Sequence, residues 1–92
     1  MAITTTLKTI ADPVRRDILE MLKSGKKNAG EISKAFNLTG ATVSYHLAQL
    51  KKANLVSETK VKNYVYYELN VSVLEELLTW VYGFGGKENA KK

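Results

Sequence analysis

The stretch of sequence that decides the fold covers residues 28–60 and reads NAGEISKAFNLTGATVSYHLAQLKKANLVSETK. It contains two helix starts in close succession. Asn28 is an N-cap residue with Glu31 three positions later, close to a capping box, and Thr39 can cap a second helix over residues 40–52. The pattern therefore predicts two helices joined by a short turn. The expected buried side of the first helix is formed by Ala29, Ile32, Ala35 and Phe36.

The second of these helices has two different faces. Val43, Leu47 and Leu50 follow the spacing i, i+4, i+7 and are expected to face inward. The opposite side carries hydroxyl, phenol, imidazole and amide groups, and no charge before Lys51 and Lys52. Its members are Thr42, Ser44, Tyr45, His46 and Gln49. A solvent-facing helix usually carries pairs of Glu and Lys, so this uncharged polar face indicates a contact surface.

The residues before this stretch predict two more helices. Asp12 can cap a helix whose first residue is Pro13, where the missing N–H costs nothing, and Gly25 ends it. Residues 3–10 can form a short helix before it. The apolar stripe of the longer helix consists of Val14, Ile18, Met21 and Leu22.

After the second helix the apolar pattern changes to period two. Residues 55–60 and 63–69 are rich in β-branched and aromatic side chains, and residues 61–62 lie between them, which predicts a β-hairpin. Its core-facing residues are expected to be Val65, Tyr67 and Leu69, with Tyr64 and Tyr66 pointing outward. The predicted tip carries Lys60, Lys62 and Asn63.

The helical period returns at Val71 and continues to a glycine-rich end at residues 83–86. The apolar residues of this helix cover nearly its whole circumference, which requires cover on several sides. The rest of so short a chain cannot supply that cover, so we expect a second copy to do so. The residues concerned are Val73, Leu74, Leu77, Leu78, Trp80, Val81, Tyr82 and Phe84.

Length and composition restrict the class of protein. With 92 residues, 45% apolar and 25% charged, we expect one globular domain over residues 1–86 and a disordered tail over residues 87–92. The absence of cysteine excludes disulfides, thiolate metal sites and cysteine nucleophiles. No apolar stretch approaches the ~20 residues that span a bilayer, and no signal peptide is visible. We therefore expect a cytoplasmic protein without membrane insertion.

The net charge of +5 is concentrated in one part of the chain. Residues 23–62 hold eight lysines against two glutamates, a net charge of +6, whereas residues 63–86 hold no basic residue and three glutamates. This division indicates one face for a polyanion and a separate face for other contacts.

Together these elements predict a mainly α fold with a β-hairpin wing, a winged helix-turn-helix in the order α-α-α-α-β-β-α. A helix about 10–12 Å across fits the roughly 12 Å major groove of B-DNA. We therefore expect double-stranded DNA as the partner. A protein-interaction module is the alternative, and an enzyme is disfavoured because no acid, base and nucleophile are grouped together.

Three segments carry a resemblance to a known family: ADPVRRDILEML, the stretch 28–60, and NYVYYELN. The chain resembles the ArsR-like winged helix-turn-helix repressors over nearly its whole length, and within them the small, metal-independent autorepressors. The resemblance implies a homodimer, paired through the first and last helices, that represses transcription and is released by a signal. It also raises the expectation of a signal-transducing protein partner.

The chain departs from the metal-sensing members of that family. The thiolate pair that such relatives carry near residues 28–32 is absent, and the last helix offers only Glu75 and Glu76. Adjacent helical residues diverge by about 100° and form no compact chelate. We therefore expect no metal and no cofactor.

The second helix of the stretch also departs from the family pattern. Gly40 and Ala41 stand where relatives often have Gln and Pro, and Tyr45 stands where Arg is common. Since Arg is the usual bidentate partner of guanine, the operator sequence of relatives cannot be carried over to this chain.

The sequence yields two sets of candidate site residues. The candidate DNA contacts are Thr39, Gly40, Thr42, Ser44, Tyr45, His46, Gln49, Lys60, Lys62 and Asn63. The candidate dimer residues are Leu7, Leu74, Leu77, Trp80, Val81 and Phe84. For His46 a DNA contact and a local structural hydrogen bond remain open as alternatives. Arg16 is expected to pair with Glu20 at spacing i, i+4.

Overall fold

The computed structural model describes residues 3–85, so the tail expected at residues 87–92 lies outside the described residues. The chain order is α1 (Ile3–Ile10), α2 (Pro13–Leu22), β1 (Lys27–Asn28), α3 (Ala29–Phe36), α4 (Gly40–Lys52), β2 (Val56–Val61), β3 (Tyr64–Leu69) and α5 (Val71–Tyr82). None of the helices within residues 3–85 is long and apolar enough to cross a membrane.

The helix starts follow the predicted caps. Asn28 Oδ1 accepts the Glu31 N–H at 2.8 Å, and Glu31 Oε1 accepts the Asn28 N–H at 2.9 Å, which completes a capping box. Thr39 Oγ1 accepts the Thr42 N–H at 3.2 Å. Asn37 adopts the left-handed conformation, φ 54°, at the end of α3, as helix C-caps often do. These local signals fix the turn between α3 and α4.

The sheet has the strand order β1-β3-β2, with both pairs antiparallel. Val61 pairs with Tyr64, so the two-residue turn is Lys62-Asn63, one residue later than predicted. Lys62 has a φ of 57°, the left-handed conformation that such hairpin turns require. Strand β1 was not predicted, because two residues are too few to show an alternating pattern.

The core lies between α2, α3, α4 and the start of β2. The predicted inward stripe of α4 is confirmed, because Val43, Leu47 and Leu50 are all at most 1% exposed. In α3 the prediction for Ala35 was wrong, since Ala35 is exposed. Ile32 is the centre of the buried stripe of α3 and Ala35 lies to one side of it. The other core residues are Ile18, Leu22, Ala53, Leu55 and Val56.

The predicted ion pair between Arg16 and Glu20 was also wrong. Arg16 Nη1 donates to the carbonyl oxygens of Ile10, at 2.7 Å, and Ala11, at 3.1 Å, while Glu20 pairs with Lys23 at 2.9 Å. The carbonyls at the end of α1 lack helical partners, so they are available to accept hydrogen bonds from the guanidinium.

The stability of the start of α2 depends on pH through the Asp12 carboxyl. Its Oδ1 accepts the N–H groups of Val14 at 2.8 Å and Arg15 at 3.3 Å. Although burial raises the pKa of this carboxyl, the two N–H groups favour its ionised form, and the net pKa lies below the usual value of 3.8. The stabilisation is therefore fully present above pH 3.8 and is lost as the pH falls through the lower pKa of the folded state.

We expect Asp12→Ala to lower the free energy of unfolding at pH 7 by about 1 kcal/mol, the usual contribution of an N-cap. The difference between wild type and variant should shrink as the pH falls below 3.8. Urea denaturation at several pH values measures it. Asp12→Asn is the matched control, because asparagine caps a helix without charge. A deficit of Asp12→Ala that is the same at every pH would contradict the assignment.

Candidate nucleic-acid interface

The polar face of α4 is open to solvent. Ser44 and Tyr45 are exposed, Tyr45 to 56%, and Thr42 and Gln49 are half-buried at its edges. Because the apolar stripe of α4 is buried beneath, the helix is held firmly while this face remains accessible. Thr39 and Gly40 extend the exposed face to the start of the helix.

The hydroxyl groups at the start of α4 are ordered by one another. The hydroxyl of Thr39 donates to Thr42 Oγ1 at 2.9 Å while accepting the Thr42 N–H. Both side chains are thus fixed at the exposed end of α4, which favours their use as hydrogen-bonding groups toward a ligand.

The structure distinguishes the two alternatives for His46. His46 is only 8% exposed. Its Nδ1 accepts a hydrogen bond from Arg15 Nε at 3.1 Å. His46 therefore makes the local structural hydrogen bond and lies below the exposed face. His46 stood among the candidate DNA contacts, but the structure buries it against α2, where it accepts the hydrogen bond from Arg15.

Arg15 contacts two residues of the candidate site, Tyr45 and His46, which the sequence did not reveal. Its guanidinium lies 5.6 Å from the centre of the Tyr45 ring and donates to the Thr9 carbonyl at 3.4 Å as well as to His46. The Tyr45 and His46 rings meet edge to face at 5.4 Å. Arg15 thus supports Tyr45 from beneath. Because Arg15 and His46 are 31 residues apart in the sequence, the spacing of neighbouring residues could not predict their contact.

The hairpin places the other candidate contacts at its tip. Lys60, Lys62 and Asn63 are all exposed there. The base of the hairpin is joined to α4 by an ion pair between Lys51 Nζ and Glu58 Oε1. The hydrogen bond to Glu58 raises the pKa of Lys51, so the lysine stays charged and links the end of α4 to β2.

Burial raises the pKa of Tyr67, and the Glu58 carboxylate nearby raises it further. The phenol consequently stays neutral beside the ion pair of Lys51 and Glu58. This small polar group is situated where α4, β2 and β3 meet.

A second surface is apolar. No residue of α5 is fully buried; Trp80 is 43% and Phe84 75% exposed, and their rings meet edge to face with centroids 5.0 Å apart. Of the other candidate dimer residues, Leu7 and Val81 are exposed, and Leu74 and Leu77 are half-buried.

Within residues 3–85, no three metal-ligating side chains come together. Glu75 and Glu76 are exposed neighbours on α5.

A short helix, a tight turn and a second helix with an exposed polar face, followed by a lysine-tipped hairpin, define a winged helix-turn-helix DNA-binding protein. The chain belongs to the arsR family of bacterial regulatory proteins, whose family model matches residues 12–58. It is a DNA-binding transcriptional regulator of that family, which is not a family of enzymes.

The chain is similar to the transcriptional repressor SdpR of Bacillus subtilis, with 40% identity over 80 residues that cover 87% of this chain and 89% of the repressor. It is also similar to a possible transcriptional regulator for arsenical resistance of known crystal structure. That match has a TM-score of 0.77 and 29% identity, and covers 85% of this chain and 81% of the other. The predicted resemblance to ArsR-like repressors is confirmed.

The fold is further supported by a homodimeric winged helix-turn-helix DNA-binding domain from Mycobacterium bovis. The TM-score is 0.75 at 24% identity, covering 98% of this chain and 85% of that domain. The predicted fold class is confirmed by these structures, with strand β1 as an addition.

Proposed function

We propose that this protein is a metal-independent transcriptional repressor that binds a pseudo-palindromic operator as a homodimer. The observation that carries the proposal is the exposed, uncharged polar face of α4 above a fully buried stripe. Hydroxyl and amide groups can hydrogen-bond base edges in the major groove, and the surrounding lysines neutralise phosphates.

The proposed homodimer pairs through α1 and α5. A large exposed apolar surface on a small chain marks an interaction site, and α5 combines such a surface with a lack of basic residues. The domain from Mycobacterium bovis with the same fold is homodimeric. Two-fold symmetry would place the two α4 helices one turn of DNA apart, about 34 Å.

We propose metal independence because the chain has few side chains that could bind a transition metal. The chain has no cysteine and one histidine, and that histidine is engaged by Arg15. Transition-metal sites need several convergent nitrogen or sulfur ligands. Release from DNA would then depend on another signal, for which a signal-transducing protein partner in the cytoplasm is the proposed source.

Selection of bound fragments from a random pool of DNA duplexes tests this function. We expect enrichment of a pseudo-palindrome with half-sites about 10 base pairs apart. If a dimer neutralises about six to eight phosphates, log K should fall against log salt with a slope of roughly −5 to −7. Failure to enrich any sequence, or a slope shallower than about −2, would favour a protein-interaction module instead.

The proposal assigns base reading to Ser44 and Gln49 and phosphate contact to Lys62. We expect the double variant Ser44→Ala, Gln49→Ala to lose about 1–3 kcal/mol of discrimination between the selected and a scrambled site. Lys62→Ala should weaken binding to both sites equally and reduce the salt slope by about one. Fluorescence anisotropy with both duplexes measures this. Identical behaviour of the two variants would refute the division of roles.

A further inference from the structure

A cationic cavity lies beside the polar face of α4, between α1, α2 and the second half of α4. Its volume is about 250 Å³, and it is partly open to solvent. It is lined by Thr5, Lys8, Thr9, Arg15, Gln49 and Lys52. Three cations, two hydroxyl-bearing residues and one amide thus surround a space with room for a hydrated anion.

Arg15 gives this cavity a fixed donor. Its Nε and one Nη1 N–H are held by His46 and the Thr9 carbonyl, and the Tyr45 ring covers the guanidinium. Arginine has five N–H donors, so the others remain for a ligand. Because the side chain is already ordered, binding an anion requires little further loss of side-chain entropy.

Neighbouring acids balance the charge of the cavity only in part. Within residues 3–85, neither Lys8 nor Lys52 forms an ion pair, and no acid lines the cavity. The Asp12 carboxylate caps α2 and interacts electrostatically with Arg15, but it does not line the cavity. Glu76 borders an adjacent cavity together with Lys52 without pairing with it. The site therefore favours an anion.

The cavity is continuous with the face of α4. Tyr45, Gln49 and Lys52 follow the spacing i, i+4, i+7 and so lie on one side of the helix. On α1, by contrast, Lys8 and Leu7 point about 100° apart, which keeps the cavity away from the edge of α1 proposed for the dimer.

We infer that this cavity is a phosphate-binding pocket in which Arg15 is the fixed donor and Lys8 and Lys52 complete the site. Arginine and lysine are the usual phosphate ligands of proteins. The phosphate group comes either from the DNA backbone beside the groove or from a free phosphate or phosphorylated small molecule. Binding of free phosphate does not depend on the proposed function.

Titration of the protein with inorganic phosphate against sodium chloride at equal ionic strength tests the pocket without DNA. In NMR spectra we expect the Arg15 Nε–H and the Gln49 side-chain amide signals to shift with phosphate alone. The double variant Lys8→Gln, Lys52→Gln should bind phosphate about tenfold more weakly or worse, because charge-assisted hydrogen bonds are removed.

The matched control is Lys23→Gln, Lys26→Gln, which removes the same charge outside the cavity. It should bind phosphate like the wild type. The inference is overturned if the wild type shows no phosphate-specific shift, or if the control is weakened as much as the pocket variant. Thermal denaturation of both variants excludes unfolding as the cause.

A second arm identifies the source of the phosphate group. If the occupant is a backbone phosphate, the salt slope of the pocket variant for duplex binding should be smaller by about one for each phosphate that the variant no longer neutralises. If the slope matches that of the wild type while phosphate binding is weakened, the occupant is a free phosphate or a phosphorylated small molecule. Both results support the pocket, and the failure of DNA binding as such would leave the phosphate titration intact.

Discussion

Replacing Trp80 by glutamate should convert the proposed dimer to monomers and lower its affinity for a selected operator by about 100-fold or more. Trp80 is half-exposed on α5 and packs edge to face on Phe84. In a dimer paired through this surface, glutamate would place an unpaired charge in an apolar contact, which is strongly unfavourable. Without the second copy, the gain of about 10²–10⁴ from two linked half-site contacts disappears.

Analytical ultracentrifugation measures the oligomeric state, and anisotropy with the operator duplex measures the affinity. Lys23→Gln is the control, because it changes the net charge by the same single unit at an exposed site just after α2. If Trp80→Glu kept its affinity for the operator, the protein would bind DNA as a monomer, and the proposed dimer would be refuted.

The second large effect is expected in the core. Leu47→Ala should reduce the free energy of unfolding by about 2–5 kcal/mol, since it removes a leucine that is 1% exposed and leaves a cavity. For a domain whose total stability is about 5–15 kcal/mol, this is a severe loss. Leu47 is the central residue of the stripe that fixes α4, so the polar face should lose its fixed position as well.

Urea denaturation at equal protein concentrations measures the change, because stability of a dimer depends on concentration. The matched control on α4 is Ser44→Ala, an exposed substitution expected within about 0.5 kcal/mol of wild type. If Leu47→Ala were as stable as Ser44→Ala, the buried stripe would not be what holds α4.

The sequence was sufficient for those features that depend on neighbouring residues. Asp12, Asn28 and Thr39 indicate helix starts because an N-cap bonds to an N–H only two or three residues later. The stripe of α4 and the hairpin follow from periods of 3.6 and 2 residues. These local rules predicted the order of the helices, and the structure has the same order.

Features that depend on distant residues were not predictable in this way. The bond between Arg15 and His46 joins α2 to α4 across 31 residues, and so the buried position of His46 remained open. Arg16 was assigned to Glu20 by helical spacing, although free carbonyls at the end of α1 were closer. Strand β1 exists only because β3 is there to pair with Lys27 and Asn28.

The ion pair between Lys51 and Glu58 has a consequence for regulation. Together with Leu55 and Val56, which are buried shortly after the end of α4, it joins α4 to the hairpin. We therefore expect the two elements to move together. An effector that switches the proposed dimer off would then change the angle between the two protomers and leave the shape of each protomer unchanged.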